Sequence, residues 1–250
     1  MLFGPFDLPI VIGDPSKRRT FMDEAVTALW PVRESLFAAY DRALRQRNRL
    51  LKEWDGRGVP DGMDAWDEEL VAAGSALTKA RAEAVQRLAP DAGEEFTHLA
   101  GYGLACLYRP NVWDDADLEG AMRARLQERR ADELQRRTSL VGPHRDDLAL
   151  AVRDLGARAF GSHGETWAAA LCLRLGLAGA VAKEVGEEPL LLVDDPFSAL
   201  DPHRRDQIGE RLASRGGQVF ISVADDADIP ASAGAVWDVR AGTVQPRKAA

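Results

Sequence analysis

The run Leu190-Leu191-Leu192-Val193-Asp194-Asp195 constrains this chain more than any other stretch. Four apolar residues in succession predict a buried strand, of the kind that parallel sheets require. Two adjacent carboxylates stand where that strand ends. The loops that leave parallel strands gather at the carboxyl rim of the sheet, where ligands of open α/β folds bind. One acid at such a place can hold the Mg²⁺ of a nucleotide, and its neighbour can orient an attacking water. The short segment Ser198-Ala199-Leu200-Asp201 comes directly after Pro196-Phe197.

Upstream, Gly161-Ser162-His163-Gly164-Glu165 precedes Thr166-Trp167-Ala168-Ala169-Ala170-Leu171-Cys172-Leu173-Arg174-Leu175. The second of these segments is apolar almost all round, which predicts a buried helix rather than an amphipathic one. Small residues at its start leave backbone N–H groups open to an anion. Ser162 and Glu165 also fit the Ser-x-x-Glu capping box that many helices carry. Both readings are compatible with the residues.

Taken in order, the serine-glycine segment, buried helix, acidic strand and Ser-Ala-Leu-Asp loop resemble the signature, Walker B and D-loop of ABC-type ATPases. A phosphate-binding loop, Gly-x-x-x-x-Gly-Lys-Ser/Thr, needs a lysine after a glycine. The lysines are Lys17, Lys52, Lys79, Lys183 and Lys248, and none follows a glycine. The chain is therefore expected to be the C-terminal portion of a longer, truncated ATPase and not to hydrolyse ATP alone.

Further segments narrow the resemblance to the RecF family. Phe3-Gly4-Pro5-Phe6-Asp7-Leu8 and Gly13-Asp14-Pro15-Ser16-Lys17-Arg18-Arg19-Thr20-Phe21-Met22-Asp23 are similar to its N-terminal elements. Tyr40 to Asn48 resembles its Tyr-x-x-x-Leu-x-Gln-Arg-Asn element, and Leu140-Val141-Gly142-Pro143-His144-Arg145-Asp146-Asp147 matches almost letter for letter. The resemblance implies an ATP-dependent homodimer that binds DNA at single-strand/double-strand junctions. It implies gap repair with RecO and RecR, assistance to RecA loading and a part in the SOS response. By position it assigns Mg²⁺ to Asp194 and the water-orienting role to Asp195. Ser162 and Gly164 would meet the γ-phosphate of the opposite subunit, with His163 and Glu165 beside them. Ser198 and Asp201 would cross the dimer interface, and Ser222 would stand where transporters place a γ-phosphate-sensing histidine. A hydroxyl there can hydrogen-bond a phosphate oxygen without supplying charge.

Composition is that of a globular protein, 46% apolar and 29% charged. No apolar run approaches the roughly 18 residues of a membrane span, and no secretory leader opens the sequence. A cytoplasmic protein without membrane contact is the expectation. Cys106 and Cys172 lack metal-ligand spacing and read as reduced structural residues. The histidines are scattered, so no zinc site is expected. The net charge of −8 argues against uniform coating of nucleic acid, but distribution matters more than the sum. Arg42, Arg45 and Arg49 share one face of a predicted helix and are candidates for salt-dependent DNA contact. A solvated helix surface explains them equally well. Arg123 to Arg137 alternates with acids and reads as a salt-bridged helix. Arg145 and Asp146 read as a structural ion pair in preference to a nucleotide-side network.

The expected fold is α/β, an incomplete ABC-type P-loop ATPase core with an inserted antiparallel helical arm. Residues 1–13 form an edge of the core, 14–138 the arm and 139–250 the rest of the core. Helical patterns cover Ser16 to about Leu51 and Asp64 to Leu88, with a strand from Phe96 to Leu107 and a helix from Ala116 to Arg137. The competing reading is a non-enzymatic remnant that binds DNA or a partner through its arm. A transporter subunit fits poorly, because Thr166-Trp167-Ala168 replaces the arginine-rich continuation of that signature. SMC proteins carry a far longer arm.

Overall fold

The structure is a computed structural model that describes residues 1–197 and 202–247. The chain opens with strand β1 (Leu2–Phe3) and helices α1 (Leu8–Ile12), α2 (Pro15–Leu29), α3 (Ser35–Glu53) and α4 (Met63–Ala100). Strand β2 (Leu104–Arg109), helix α5 (Leu118–Arg136), strands β3 (Asp147–Val152) and β4 (Leu155–Gly156) and helix α6 (Ala157–Phe160) come next. The remainder is α7 (His163–Val185), β5 (Leu191–Asp194), α8 (Pro202–Ala213), β6 (Val219–Ser222), β7 (Trp237–Arg240) and β8 (Thr243–Pro246).

Strands β1, β5 and β6 make a parallel sheet in that order. β1 lies at the start of the chain and pairs with β5, Leu2 opposite Leu192. The helices α2 to α5 are thus inserted between neighbouring strands of one sheet. β2, β3 and β4 make an antiparallel sheet, and β7 and β8 a hairpin.

Local signals account for most helix ends. Asp14-Pro15 opens α2, where proline's missing N–H costs nothing. Trp30 precedes Pro31, which pushes it out of the helical region. It sits at φ −139°, ψ 82°, so the single helical pattern from Ser16 to Leu51 is two helices. Gly62, Gly101 and Gly186 carry the left-handed turns flanking α4 and ending α7. α4 outruns its expected end at Leu88 and carries Pro90 inside it. Burial of Ala92, Phe96 and Leu99 against the core outweighs one lost backbone hydrogen bond. The expected strand from Phe96 is accordingly confined to Leu104–Arg109.

The main core gathers β1, α1, α2, the second half of α4, β2, β3 and α7 around one apolar cluster. Residues Trp167 to Leu173 of α7 are all buried, as their sequence predicts. Gly176 lets α7 approach α4 closely; a Cβ there would lie 2.6 Å from the Ala92 nitrogen. Smaller clusters centred on Tyr40, Leu70, Val71 and Met122, and on Leu51, Met63 and Leu134, fill the arm.

The arm is pinned by one guanidinium. Arg47 is fully buried and donates from Nε to Asp67 of α4 at 2.7 Å. Its Nη1 donates to Ser139 at 2.7 Å and its Nη2 to Glu133 of α5 at 2.5 Å. Asn48 accepts from the Ser139 amide. The Gln-Arg-Asn element is therefore a structural clamp. Arg18 grips Asp147 with two hydrogen bonds, and Arg81 grips Asp23 likewise while reaching the Pro143 carbonyl and Asp146. Asp146 also accepts from the Tyr108 hydroxyl. Arg145 donates instead to the Ser139 carbonyl, so the expected Arg145–Asp146 pair is replaced by Arg81–Asp146. The α5 arginines do form the expected bridges, among them Arg123–Glu68, Arg125–Glu128 and Arg130–Asp67.

One expectation changes materially. Leu191 and Val193 are buried, but Leu192 is 41% exposed and Leu190 45%. Leu2, Leu192 and Phe220 stand in register on one face of the parallel sheet, with Leu2 48% and Phe220 50% exposed. β5 is buried on one side only, because among the described residues no element packs over the second face.

Two outcomes test this architecture. Arg47→Met leaves the buried Glu133 without its cationic partner and Asp67 with Arg130 alone, and chemical denaturation should register a loss of about 3–5 kcal/mol. Adding Glu133→Leu should recover part of it. The row Leu2, Leu192, Phe220 should bind a solvatochromic apolar dye in the folded state, and Leu192→Ser with Phe220→Ser should abolish that signal without unfolding the chain.

Candidate functional site

The acidic pair stands where a parallel strand ends. Asp194 is the last residue of β5, and its carboxylate accepts a hydrogen bond from the Ser222 hydroxyl at the end of β6. The Asp195 amide donates to the Ser222 carbonyl at 3.1 Å. Asp195 itself takes φ +47°, a left-handed conformation that aspartate tolerates better than most residues at a cost of about 1–3 kcal/mol. That turn swings the chain off the sheet immediately after Asp194. Asp194 is exposed and Asp195 partly so. The Asp194 carboxylate and the Ser222 hydroxyl therefore meet at one rim, reachable by a ligand, with Asp195 the next residue along the chain.

The start of α7 is the second part. Ser162 caps the helix: its hydroxyl accepts from the Glu165 amide at 3.3 Å, and its amide donates to Glu165 at 2.8 Å. The capping box is thus real. It does not bury the residues concerned: Ser162 and His163 are exposed, and Gly164 and Glu165 are partly so. The helix start stays available while its register is fixed.

Glu165 is held from further directions. The Tyr102 hydroxyl donates to it at 2.5 Å and Arg153 at 3.1 Å, with the Arg153 guanidinium 3.9 Å from the centre of the Tyr102 ring. The Tyr102 hydrogen bond, then those from Ser162, push its carboxyl down to about 2. It is an ionised, anchored carboxylate at neutral pH. Tyr102 lies just beyond α4 and Arg153 in the β3–β4 turn, so the antiparallel sheet and the long helix meet at this cap. Neither residue was among the sequence candidates; no local spacing links them to Glu165.

The two parts are tied together. Trp167, early in α7, donates its indole N–H to the Pro196 carbonyl at 2.9 Å. Its ring packs edge-on against Phe3 of β1 at 5.3 Å. Arg174 on the same helix clamps Asp7 at 2.6 Å and Glu24 at 2.7 Å, and Asp7 in turn accepts from the Gly4 amide. The Phe-Gly-Pro-Phe-Asp segment is thereby locked to the helix that carries Ser162. Ser198 and Asp201 lie outside the described residues. Arg42, Arg45 and Arg49 lie together on α3 but far along the chain from this site. Arg45 pairs with Asp41 and Arg49 with Glu53 on the same helix.

The donor set has a definite chemistry. A carboxylate, a hydroxyl and a second carboxylate are hard oxygen ligands, which suit Mg²⁺ bound by one or two acids plus substrate phosphates. They do not make a self-sufficient metal cage; no group of three acid, histidine or cysteine ligands converges among the described residues. Both cysteines are free and buried.

No family model matches the chain. The DNA replication and repair protein RecF of Streptomyces avermitilis is 38% identical over 98% of this chain and 69% of its own length. The protein of the same name from Frankia alni is 39% identical, with the same coverage. A solved structure of the recombination mediator protein RecF-ATP in the RecFOR pathway superposes with TM-score 0.84 at 26% identity, over 99% of this chain and 67% of that one. The RecF-ATPrS structure gives TM-score 0.83 at 27% identity, over 98% and 67%. The SMC head domain of Pyrococcus furiosus, 13% identical with TM-score 0.51 over 99% of this chain and 60% of that one, shares the fold alone. The architecture is that of ABC-type ATPase heads with an inserted helical arm, and the chain belongs to the RecF family.

Proposed function

We propose that this chain supplies the hydrolytic and dimer-facing half of a RecF-type ATPase that acts in DNA repair at single-strand/double-strand junctions. The observation that carries the reading is the rim where Asp194 and Ser222 meet beside Asp195, tied through Trp167 to the exposed, capped start of α7. In this reading Asp194 holds Mg²⁺ and Asp195 orients and deprotonates the attacking water. Ser222 fixes the Asp194 carboxylate with its one hydroxyl proton and reaches a phosphate oxygen only by exchanging that hydrogen bond. Ser162 and Gly164 offer backbone and hydroxyl donors to the γ-phosphate of a second protomer, with His163 beside them. Glu165 stays bound to Tyr102, Arg153 and Ser162, so its part is to hold the helix start in register. Ser198 and Asp201 cross the interface. When bound, Mg²⁺ neutralises charge building on the transferred phosphoryl oxygens.

The same reading takes residues 1–13 and 139–250 as the ATPase core and 14–138 as the arm. Its support is the β1–β5 pairing across the helical segment. Arg42, Arg45 and Arg49 present an exposed basic face on that arm for DNA. RecO and RecR are the proposed partners, and an ATP-dependent homodimer the working form. Loading of RecA, the SOS response and a cytoplasmic location complete the proposal. One observation favours a second reading, a non-catalytic DNA- or partner-binding unit: the 250 residues contain no Gly-x-x-x-x-Gly-Lys-Ser/Thr.

ATP turnover separates the two. The 250-residue chain alone should show none. Fused to the phosphate-loop segment of a RecF relative, it should hydrolyse ATP, and Asp195→Asn should then cut the rate about 100-fold or more, as loss of a water-positioning group does. ATP-driven dimerisation, read by light scattering, should survive. Loss of ATP binding in that variant would remove Asp195 from the assigned role, and a fusion that binds ATP without turnover would favour the second reading.

A further inference from the structure

The Gly142-Pro143-His144-Arg145-Asp146-Asp147 segment has no part in the chemistry above. It forms one wall of an open cleft of about 370 Å³, whose lining is Asp14, Pro15, Ser16, Arg19, His144 and Arg145. Gly142 makes the wall possible: it takes φ +124°, and a Cβ there would lie 2.5 Å from the Tyr40 hydroxyl. The segment can therefore press against α3 while its later residues turn toward the start of α2.

The arginines of this cleft differ from their neighbours. Arg18, Arg47, Arg81 and Arg174 are each locked onto carboxylates. Arg19 and Arg145 have no carboxylate partner among the described residues. Arg19 donates from Nη1 to the Asp146 carbonyl at 2.9 Å, and Arg145 from Nη2 to the Ser139 carbonyl at 3.1 Å. A guanidinium carries five N–H donors, so most of each fork is free. The nearby acids are engaged elsewhere. Asp147 belongs to Arg18, Asp146 to Arg81, Tyr108 and the Asn111 amide, and Asp14 stands 3.4 Å from Arg158.

The positive charge is consequently only partly offset, by Asp147 and Asp146 at a distance. Burial, then the charge of Arg81, holds the Arg19 guanidinium below its usual pKa, and Arg145 acts in the same direction against Asp147 and Asp146. His144 adds no charge. Burial lowers its pKa to about 4, and both ring nitrogens are used. Nε2 faces the Ser139 carbonyl at 3.0 Å and must donate, so Nδ1 accepts from the Tyr40 hydroxyl at 2.6 Å. The imidazole is a fixed, neutral wall.

We propose that this cleft binds a phosphate of a nucleic-acid backbone, with Arg19 and Arg145 as its two ligands. Paired guanidinium forks match the oxygens of a phosphate. The one aromatic ring in the lining, the His144 imidazole, stacks on Tyr40 and has both nitrogens engaged, so the site grips the backbone and positions it rather than reading base edges. The assignment rests on the DNA-binding part of the proposed function and adds a contact outside the α3 face.

The test is binding of a labelled DNA duplex to the 250-residue chain across a salt series, read by fluorescence anisotropy. Arg145→Gln and Arg19→Gln should each weaken binding equally for unrelated sequences. Each should also flatten the slope of log affinity against log salt by about 0.9. Arg145 is exposed and makes one backbone contact, so its variant decides the matter if Arg19→Gln fails to fold. Unchanged affinity and slope in Arg145→Gln overturn the cleft assignment and leave DNA binding by another face intact. No duplex binding by the unmutated chain overturns the cleft assignment. Displacement of the duplex by inorganic phosphate, at fixed ionic strength and equal phosphate concentration, assigns the cleft to a free anion and overturns the nucleic-acid proposal.

Discussion

Helix α7 has almost no polar face between Thr166 and Leu173, and the rest of the molecule is arranged to keep those turns out of water. Burying a helix all round needs cover from several directions at once. The second half of α4 lies along one side, close enough that Gly176 must lack a Cβ. β1 and α1 take another side, and β2 and β3 close the core. The arm is thus more than an appendage: its longest helix is part of the wall that α7 requires. The same requirement explains why α4 runs through Pro90, since ending there would uncover Ala92 and Phe96.

Charge does the remaining positioning. Buried guanidiniums appear wherever a loop must be held against a helix: Arg47 at the 139 junction, Arg81 and Arg18 at the 142–147 turn, Arg174 at the chain's first turn. Each meets acids or carbonyls from at least two elements. A planar fork with five donors can satisfy several partners without moving, which a lysine ammonium cannot reproduce. The excess of arginine over lysine in this sequence therefore has a structural use.

Much of the site was legible because its signals are local. The strand, its acidic end and the Ser-x-x-Glu cap each occupy a few consecutive residues, and the all-round apolarity of α7 is visible by inspection. Features set by distant packing were not. Tyr102 reaches Glu165 across 63 residues, and nothing in either neighbourhood announces the other. Leu192 looks buried in a row of four apolar residues, yet a strand's second face is decided by whatever layer lies over the sheet. Arg145 and Asp146 are adjacent and oppositely charged, which suggests a pair. The turn points them apart, and Arg81 from α4 takes the acid.

The bare side of the parallel sheet carries a practical consequence. Leu2, Leu192 and Phe220 form a level hydrophobic row, and two molecules meeting there would hide it from solvent without any nucleotide. Such a couple would grow with protein concentration, ignore ATP and hold the capped helix starts in no particular relation. Association measured at high concentration without nucleotide thus reports burial of that row and not the γ-phosphate contact proposed for Ser162.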